Sequence, residues 1–192
     1  MFRISETGIP GCVKLQPIIR HDQRGRFVKT AHAGFFRDHG LECDFAEQYY
    51  SVSCRDVLRG LHVQVPPHAQ IKLVHCAVGE IFDVVVDLRR GSPTYGEHRA
   101  FTLSAETASQ VYIPAGLAHG YYATTDNATV IYSATTVYAP DCDKGIHWAS
   151  VDADWPGGAP ILSHRDRDLP PLAKFDSPFI YPGTHVRTGA AR

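Results

Sequence analysis

Side chains suited to proton transfer and anion binding are concentrated in one short stretch, residues 57–74, which reads VLRGLHVQVPPHAQIKLV. It contains Arg59, His62, Gln64 and Lys72. A neutral imidazole can accept a proton near pH 7, and lysine or arginine cations can bind anionic groups. A base and a cation on neighbouring strands would face each other across a small cavity. We therefore expect the chemistry of this chain to take place there.

The residues around these four side chains predict two β-strands. Residues 57–65 are mostly aliphatic or β-branched, and the pair Pro66-Pro67 ends the run because proline cannot donate to a strand ladder. The segment IKLVHCAV, 71–78, predicts the second strand. Strict alternation would put His62 and Arg59 on opposite faces, so we expect a bulge at Gly60 that turns Arg59 inward.

The remaining chain is dominated by strand patterns. AHAGFFRDHG, 31–40, predicts a short helix that ends at Gly40, and IFDVVVDL, 81–88, alternates as a strand does. QVYIP and ATVIYSATTVYAP predict two further strands, with PAGLAHG between them as a tight corner that presents His119. In the second of these strands Tyr132 and Tyr138 share parity, which predicts that they point the same way.

Many short strands, turns rich in glycine and proline, and little helix predict an all-β fold, a double-stranded jelly roll with a few short helices. We expect one domain over residues 1–192: amino-terminal strands in 1–56, the jelly-roll core in 57–148, and loops with a short helix in 149–192. The last segment, HVRTGAAR at 185–192, is expected to be poorly ordered.

Charge and hydropathy exclude two classes of partner. The chain has 19 basic and 20 acidic residues, for a net charge of -1, and no basic run is longer than Arg89-Arg90. Nucleic acid is therefore not an expected partner. The amino terminus lacks the apolar core of a signal peptide, and no stretch approaches the roughly 20 apolar residues that span a membrane. We expect a cytoplasmic protein that does not bind membranes.

The cysteines indicate a reducing compartment. There are five, an odd number, at scattered positions and without a C-x-x-C pair: Cys12, Cys43, Cys54, Cys76 and Cys142. This pattern favours free thiols over a disulfide framework or a structural zinc site.

Taken together, these segments resemble the dTDP-4-dehydrorhamnose 3,5-epimerase family. The matching pieces are RGLHVQ (59–64), QIKLV (70–74), GEIFDVVVDLRRGSPTYG (79–96), LSAE (103–106), YIPAGLAHG (112–120), YAPDCDKGIHW (138–148) and LSHRD (162–166). The resemblance implies a homodimeric cupin jelly roll with no metal or other cofactor, in which residues 1–56 include a dimer arm that completes the partner's nucleotide pocket. It implies a nucleoside diphosphate 4-keto-6-deoxy sugar as substrate, inverted at C3 and C5 through an enolate.

The same resemblance implies roles for individual residues. His62 is the expected base, with Asp166 as the carboxylate that fixes its tautomer. Lys72 is expected to stabilise the enolate oxygen, because a cation placed in advance at developing charge is a large catalytic factor. Tyr132 is the expected proton donor on the opposite face. The expected substrate-binding residues are Arg24, Lys29, Glu47, Tyr49, Arg59, Gln64, His119, Tyr138, Asp143 and Arg165.

Three positions depart from the family pattern. This chain has Lys29 where the family has Glu, Glu47 where it has Gln, and Tyr49 where it has Asn. These family positions bind the nucleotide end of the substrate. A site that hydrogen-bonds one base rejects others through unpaired polar groups, so the changes raise CDP or GDP as alternatives to dTDP.

Other functions remain open at the level of sequence. One is epimerisation at a single centre, since some family members invert only C3 or only C5. A metal-dependent cupin would need two or three histidines and a carboxylate around the ion, as in an H-x-H pair, but Gln64 stands at the second position of that pair. The third alternative function is that of a cupin that binds a sugar nucleotide without catalysing a reaction.

Overall fold

The computed structural model describes residues 1–182, so the predicted disorder of 185–192 lies outside the described residues. The described chain folds into short strands with two short α-helices. In chain order the elements are β1 Phe2–Glu6, β2 Val13–Pro17, β3 Ile19–Asp22, β4 Gly25–Val28, α1 Ala33–Asp38, β5 Glu47–Ser53, β6 Leu58–Gln64, β7 Lys72–Val78, β8 Glu80–Asp87, β9 His98–Ser104, β10 Gln110–Ile113, β11 Leu117–Ala123, β12 Ala128–Ala134, β13 Asp143–Gly145 and α2 His164–Arg167.

Two antiparallel sheets form the body of the molecule. A six-stranded sheet has the order β1-β2-β10-β7-β12-β5, and a five-stranded sheet has the order β13-β6-β11-β8-β9. Strands β3 and β4 form a separate hairpin. The predicted all-β jelly roll is confirmed. The amino-terminal strands β1, β2 and β5 belong to the larger sheet, which therefore extends beyond residues 57–148.

The main hydrophobic core lies between the sheets. The larger sheet contributes Val74, Val111 and Val130, and the smaller one contributes Val85 and Tyr121, all buried. A second core covers the outer face of the smaller sheet, where Val84 and Val86 pack with Val151 and Phe179 of the carboxy-terminal segment. Because both faces of β8 are covered, its alternating pattern does not mark a solvent-exposed side, and Asp83 and Asp87 are fully buried.

Two local predictions from the sequence are wrong. The segment around His119 is not a corner: Leu117–Ala123 is strand β11, in the middle of the smaller sheet. Strand β12 ends at Ala134, so Tyr138 lies beyond it. Strand alternation therefore does not relate the direction of the Tyr138 side chain to that of Tyr132. The proline and the first glycine of PAGLAHG mark only the turn before β11. The helix predicted to end at Gly40 is confirmed as α1, and Gly40 takes the left-handed conformation (φ +68).

Among residues 1–182, none of the helices has the length and apolar character needed to cross a membrane.

Candidate active site

A cavity of about 300 Å³ brings together side chains from both sheets and from α2. The larger sheet supplies Tyr49, Ser51, Lys72 and Tyr132, the smaller sheet supplies Arg59, His62 and His119, and the α2 segment supplies Ser163, Arg165 and Asp166. All four side chains expected to be catalytic therefore line one cavity. Four of the ten expected binding residues, Tyr49, Arg59, His119 and Arg165, line it as well.

The bulge predicted at Gly60 explains how Arg59 and His62 reach the same cavity. Strand β6 pairs with β11 as His62↔His119 and Arg59↔Tyr121, so β6 has one more residue than β11 between these pairs. Gly60 has φ +126, and a Cβ there would lie 2.6 Å from Gly120 Cα. Only glycine fits this left-handed position against the neighbouring backbone.

His62 and Asp166 form a close pair. Nε2 of His62 lies 2.5 Å from Oδ1 of Asp166, which α2 carries in its first turn. Ser163 caps that helix, since its Oγ accepts a hydrogen bond from the Asp166 backbone N–H at 3.0 Å. Burial by itself would raise the pKa of Asp166, but the hydrogen bond and charge of His62 hold that pKa below its usual value. The carboxylate can therefore fix the imidazole tautomer and leave the other ring nitrogen free to accept a proton.

Lys72 begins β7 and is 9% exposed. Burial lowers the pKa of its ammonium to about 8, while nearby Asp143 acts in the opposite direction. Asp143 is itself paired with Arg165, at 2.7 Å between Nη1 and Oδ2. Lys72 is thus still mostly cationic near neutral pH, in a place where little water competes for its charge.

Tyr132 projects into the cavity from β12 and is 7% exposed. Burial raises the pKa of its phenol well above the usual value, and Tyr121 and Tyr49 add to the rise. Its ring stacks on Tyr49, with centroids 4.8 Å apart and planes 13° from parallel. Tyr132 is therefore protonated at neutral pH and able to donate a proton.

His119 forms a second histidine–carboxylate pair. Its Nε2 lies 2.6 Å from Oδ2 of Asp83, and both side chains are buried. The imidazole lies nearly perpendicular to the ring of Tyr132, with planes 75° apart and centroids 6.0 Å apart. One ring nitrogen of His119 is therefore occupied by Asp83, and the other is available to the cavity.

Several expected binding residues lie outside this cavity. On the β3–β4 hairpin, Arg24 is exposed and paired with Asp22 at 2.6 Å. Lys29 follows the same hairpin and lines a separate surface depression beside Phe27. Neither residue lines the cavity of its own chain.

Three further expected binding residues take part in hydrogen bonds of the loop after β12 and do not line the cavity: Gln64, Glu47 and Tyr138. The Gln64 amide nitrogen donates to the carbonyl oxygens of His68 and Val137, and its oxygen accepts from Ala139 N–H at 2.9 Å. The Glu47 carboxylate accepts from Tyr138 N–H at 2.6 Å. The hydrogen-bonding groups of Gln64 are thus occupied, and the residue acts as a brace for this loop.

Two cavity residues, Ser51 and Ser163, are not among those expected from the sequence. Ser51 lies on β5, two positions from Tyr49, so the period-two pattern of a strand places both on one face. Ser163 precedes Asp166 by three residues, the spacing of a capped helix start. These patterns could have found both residues.

Among residues 1–182, the side chains close enough to share a metal ion are Glu42, Cys43 and Asp44. They follow α1 near the surface and are not part of the cavity.

Known proteins resemble this chain in sequence and in structure. The model of the dTDP-4-dehydrorhamnose 3,5-epimerase family matches residues 6–174. A dTDP-4-dehydrorhamnose 3,5-epimerase of Methanothermobacter thermautotrophicus is 42% identical over 176 residues, which cover 89% of this chain and 95% of the relative. A dTDP-4-dehydrorhamnose 3-epimerase of Streptomyces niveus is 41% identical over 177 residues, 90% of this chain and 85% of the relative.

Solved structures agree with this likeness. The epimerase RmlC of Legionella pneumophila, crystallised with dTDP-4-keto-L-rhamnose, superposes with a TM-score of 0.88 at 36% identity, covering 92% of this chain and 95% of that one. The match of the family model over most of the chain, the relatives near 40% identity and the shared cupin jelly roll agree with one another. The chain belongs to the dTDP-4-dehydrorhamnose 3,5-epimerase family, a family of isomerases.

Proposed function

We propose that this enzyme inverts C3, C5 or both in a dTDP-linked 4-keto-6-deoxy sugar. The observation that carries the proposal is the arrangement of base and acid. His62, paired with Asp166, enters the cavity from the smaller sheet, and Tyr132 enters it from the larger sheet. A sugar ring held between them would have a proton acceptor on one face and a proton donor on the other, as inversion requires.

The reaction proceeds in two proton transfers at each centre. The 4-keto group acidifies the neighbouring carbon, and His62 removes its proton. The electrons of the broken C–H bond move into an enolate whose negative charge lies on the C4 oxygen, where the Lys72 ammonium stabilises it. The Tyr132 phenol then gives its proton to the other face of the carbon. Asp166 stabilises the imidazolium of His62 until that proton is released.

Cations around the cavity would bind the diphosphate. Arg59 and Arg165 line the cavity with guanidinium groups, which suit phosphate oxygens, and His119 adds a third donor. The nucleotide would extend from there toward the surface. Since Arg24 and Lys29 do not line the cavity of their own chain, we propose that they act on the partner's site in a homodimer. A cytoplasmic location fits the free cysteines.

The test is incubation in D2O with 4-keto-6-deoxyglucose carried on dTDP, CDP and GDP in parallel, followed by NMR of the C3 and C5 protons. We expect loss of both signals and appearance of the inverted sugar with the dTDP compound. Exchange at one carbon only would make the enzyme a single-centre epimerase, as the name of the Streptomyces niveus relative suggests for that protein. Binding without exchange on all three carriers would contradict catalysis of this kind.

A further inference from the structure

A row of buried and half-buried hydroxyl groups leads away from the candidate acid Tyr132. The phenol oxygen of Tyr121, which is 0% exposed, lies 2.9 Å from Ser51 Oγ and 2.8 Å from Ser53 Oγ. Tyr121 is on β11, in the smaller sheet, and the two serines are on β5, at the edge of the larger sheet. These hydrogen bonds therefore cross the core between the sheets.

Both ends of this row reach functional groups. At one end, Ser51 lies on the strand paired with that of Tyr132, two positions from the partner residue Tyr49, and lines the same cavity as Tyr132. Its hydroxyl opposes the effect of burial on the Tyr132 pKa. At the other end, Nε of Arg59 donates to Ser53 Oγ at 3.0 Å. A guanidinium has donors only, so Ser53 must accept from Arg59. The Ser53 hydroxyl can then donate its hydrogen to the Tyr121 oxygen. Tyr121 can in turn donate to Ser51, and Ser51 to Tyr132.

We propose that Arg59, Ser53, Tyr121 and Ser51 form an oriented hydrogen-bond chain that stabilises the phenolate of Tyr132 after it has given its proton to the substrate. The proposal rests on the proposed function and adds three positioning residues to it. Ser51, Ser53 and Tyr121 act through Tyr132, whereas Arg59 has a second task at the diphosphate.

The chemical need for such a chain follows from burial. When Tyr132 protonates the enolate, its O–H bond breaks, a C–H bond forms, and one negative charge moves to the phenolate oxygen. A buried phenolate is costly unless it accepts hydrogen bonds. Charge-assisted hydrogen bonds are about twice as strong as neutral ones, so Ser51 stabilises the charged product of the transfer more than the starting phenol. A chain whose donors all point toward Tyr132 reinforces this effect.

Arg59 links the chain to the substrate. Its Nε is held by Ser53 and one Nη2 hydrogen by the Val52 carbonyl oxygen at 3.2 Å. Its remaining hydrogens are free of these contacts and can meet a diphosphate. The same side chain would thus orient the hydroxyl row and hold the substrate.

The experiment compares Tyr121→Phe with wild type and with the control Tyr122→Phe. Tyr122 is the next residue on β11, is also buried, and has its hydroxyl bonded to Asp56 at 2.6 Å, away from the row. In D2O, the enolate either returns to its starting configuration with deuterium from His62 or is inverted by Tyr132. The ratio of inversion to exchange with retention therefore reports how well Tyr132 donates. Without the Tyr121 hydroxyl, Ser51 is no longer oriented to donate to the Tyr132 phenolate. We expect the ratio to fall about tenfold in Tyr121→Phe, the effect of losing that hydrogen bond to a charged group, with KM unchanged.

The control variant should keep the wild-type ratio. Ser53→Ala interrupts the row with a smaller change and should lower the ratio as well, while Ser53→Thr keeps the hydroxyl and should restore it. These serine variants carry the test if Tyr121→Phe does not fold. An unchanged ratio in Tyr121→Phe or Ser53→Ala, with wild type still inverting its substrate, would overturn the inference and leave the proposed function standing. Absence of exchange in wild type would overturn both.

Discussion

At the scale of single residues, the environment of Lys72 has a direct consequence for pH dependence. Burial lowers the pKa of its ammonium to about 8, and only the cation can stabilise an enolate. The cationic fraction is high below that pKa and is lost as pH rises through it. We therefore expect kcat/KM, which reports the free enzyme, to fall on the alkaline side with a midpoint near pH 8.

The matched variant for this prediction is Lys72→Arg. Arginine stays charged throughout the accessible range, so the variant should be slower but should lose the alkaline fall. If Lys72→Arg keeps a midpoint near that of wild type, another group is responsible for the pH dependence.

The stack of Tyr49 on Tyr132 is a second feature at this scale. Tyr49 stands where the family pattern has Asn, and its ring covers one face of the Tyr132 ring. Aromatic pairs contribute about 0.5–1.5 kcal/mol beyond burial, so Tyr49→Ala should slow inversion by roughly three- to tenfold through a less constrained Tyr132. Tyr49→Phe keeps the stack and should retain the rate. Equal losses of kcat in the two variants would instead indicate a contact between the Tyr49 hydroxyl and the substrate.

The sequence identifies residues with distinctive chemistry more readily than common polar residues. His62, Lys72, Tyr132 and Asp166 can be assigned from the sequence, because the family resemblance attaches a role to each, and the fold brings all four to one cavity. Ser51 and Ser163 can be placed only indirectly, by strand alternation from Tyr49 and by helix-cap spacing from Asp166, because a serine hydroxyl by itself indicates no role. Gln64 is likewise expected from the resemblance to contact the substrate, and that role stays a prediction; in the structure its amide hydrogen-bonds the loop after β12.

At the scale of elements, α2 is a four-residue helix whose task is to hold Asp166 against His62. Ser163→Ala removes the cap, which costs about 1 kcal/mol and loosens the first turn that carries Asp166. We expect kcat to fall while KM changes little, and Tm to fall by roughly 2–4 °C. Ser163→Thr preserves a capping hydroxyl and should behave as wild type in both measurements. A normal kcat in Ser163→Ala would mean that Asp166 keeps its place without the cap.

Strands with alternating or β-branched sequences are predictable, whereas their ends and exceptions are not. Strands β6, β7, β8 and β12 follow from the pattern of side chains alone. Strand β11 does not, because its sequence LAHGYYA has a glycine at its centre and no polar–apolar alternation, and every residue in it is buried. The error for Tyr138 has a similar origin: nothing in SATTVYA signals that pairing with β5 stops at Ala134.

At the scale of the whole molecule, the hairpin of β3 and β4 lies outside both sheets and exposes apolar side chains, among them Phe27 at 62%. The edge strand β5 likewise exposes Tyr50 at 70%. Exposed apolar groups on a hairpin and an edge strand favour association with a second chain. We expect a dimer in sedimentation velocity experiments at micromolar concentration, and a monomer there would contradict the proposed sharing of the hairpin.

A mixing experiment separates shared from independent sites. If Arg24 serves the partner's cavity, chains with Arg24→Ala and chains with His62→Ala, each impaired alone, should regain activity when mixed under conditions of subunit exchange. The mixed dimer then contains one cavity with an intact His62 and an intact Arg24. No recovery in verified mixed dimers would place Arg24 outside the neighbouring site.

If base and acid reach the sugar from opposite sheets, Tyr132→Phe should separate proton removal from inversion in D2O. His62 remains in place, so proton removal and its return on the same face should continue. We expect deuterium to enter C3 or C5 of dTDP-4-keto-6-deoxyglucose with retention of configuration, while the inverted sugar is nearly absent. Inversion at the wild-type rate in Tyr132→Phe, or exchange that survives in His62→Ala, would contradict this assignment of acid and base.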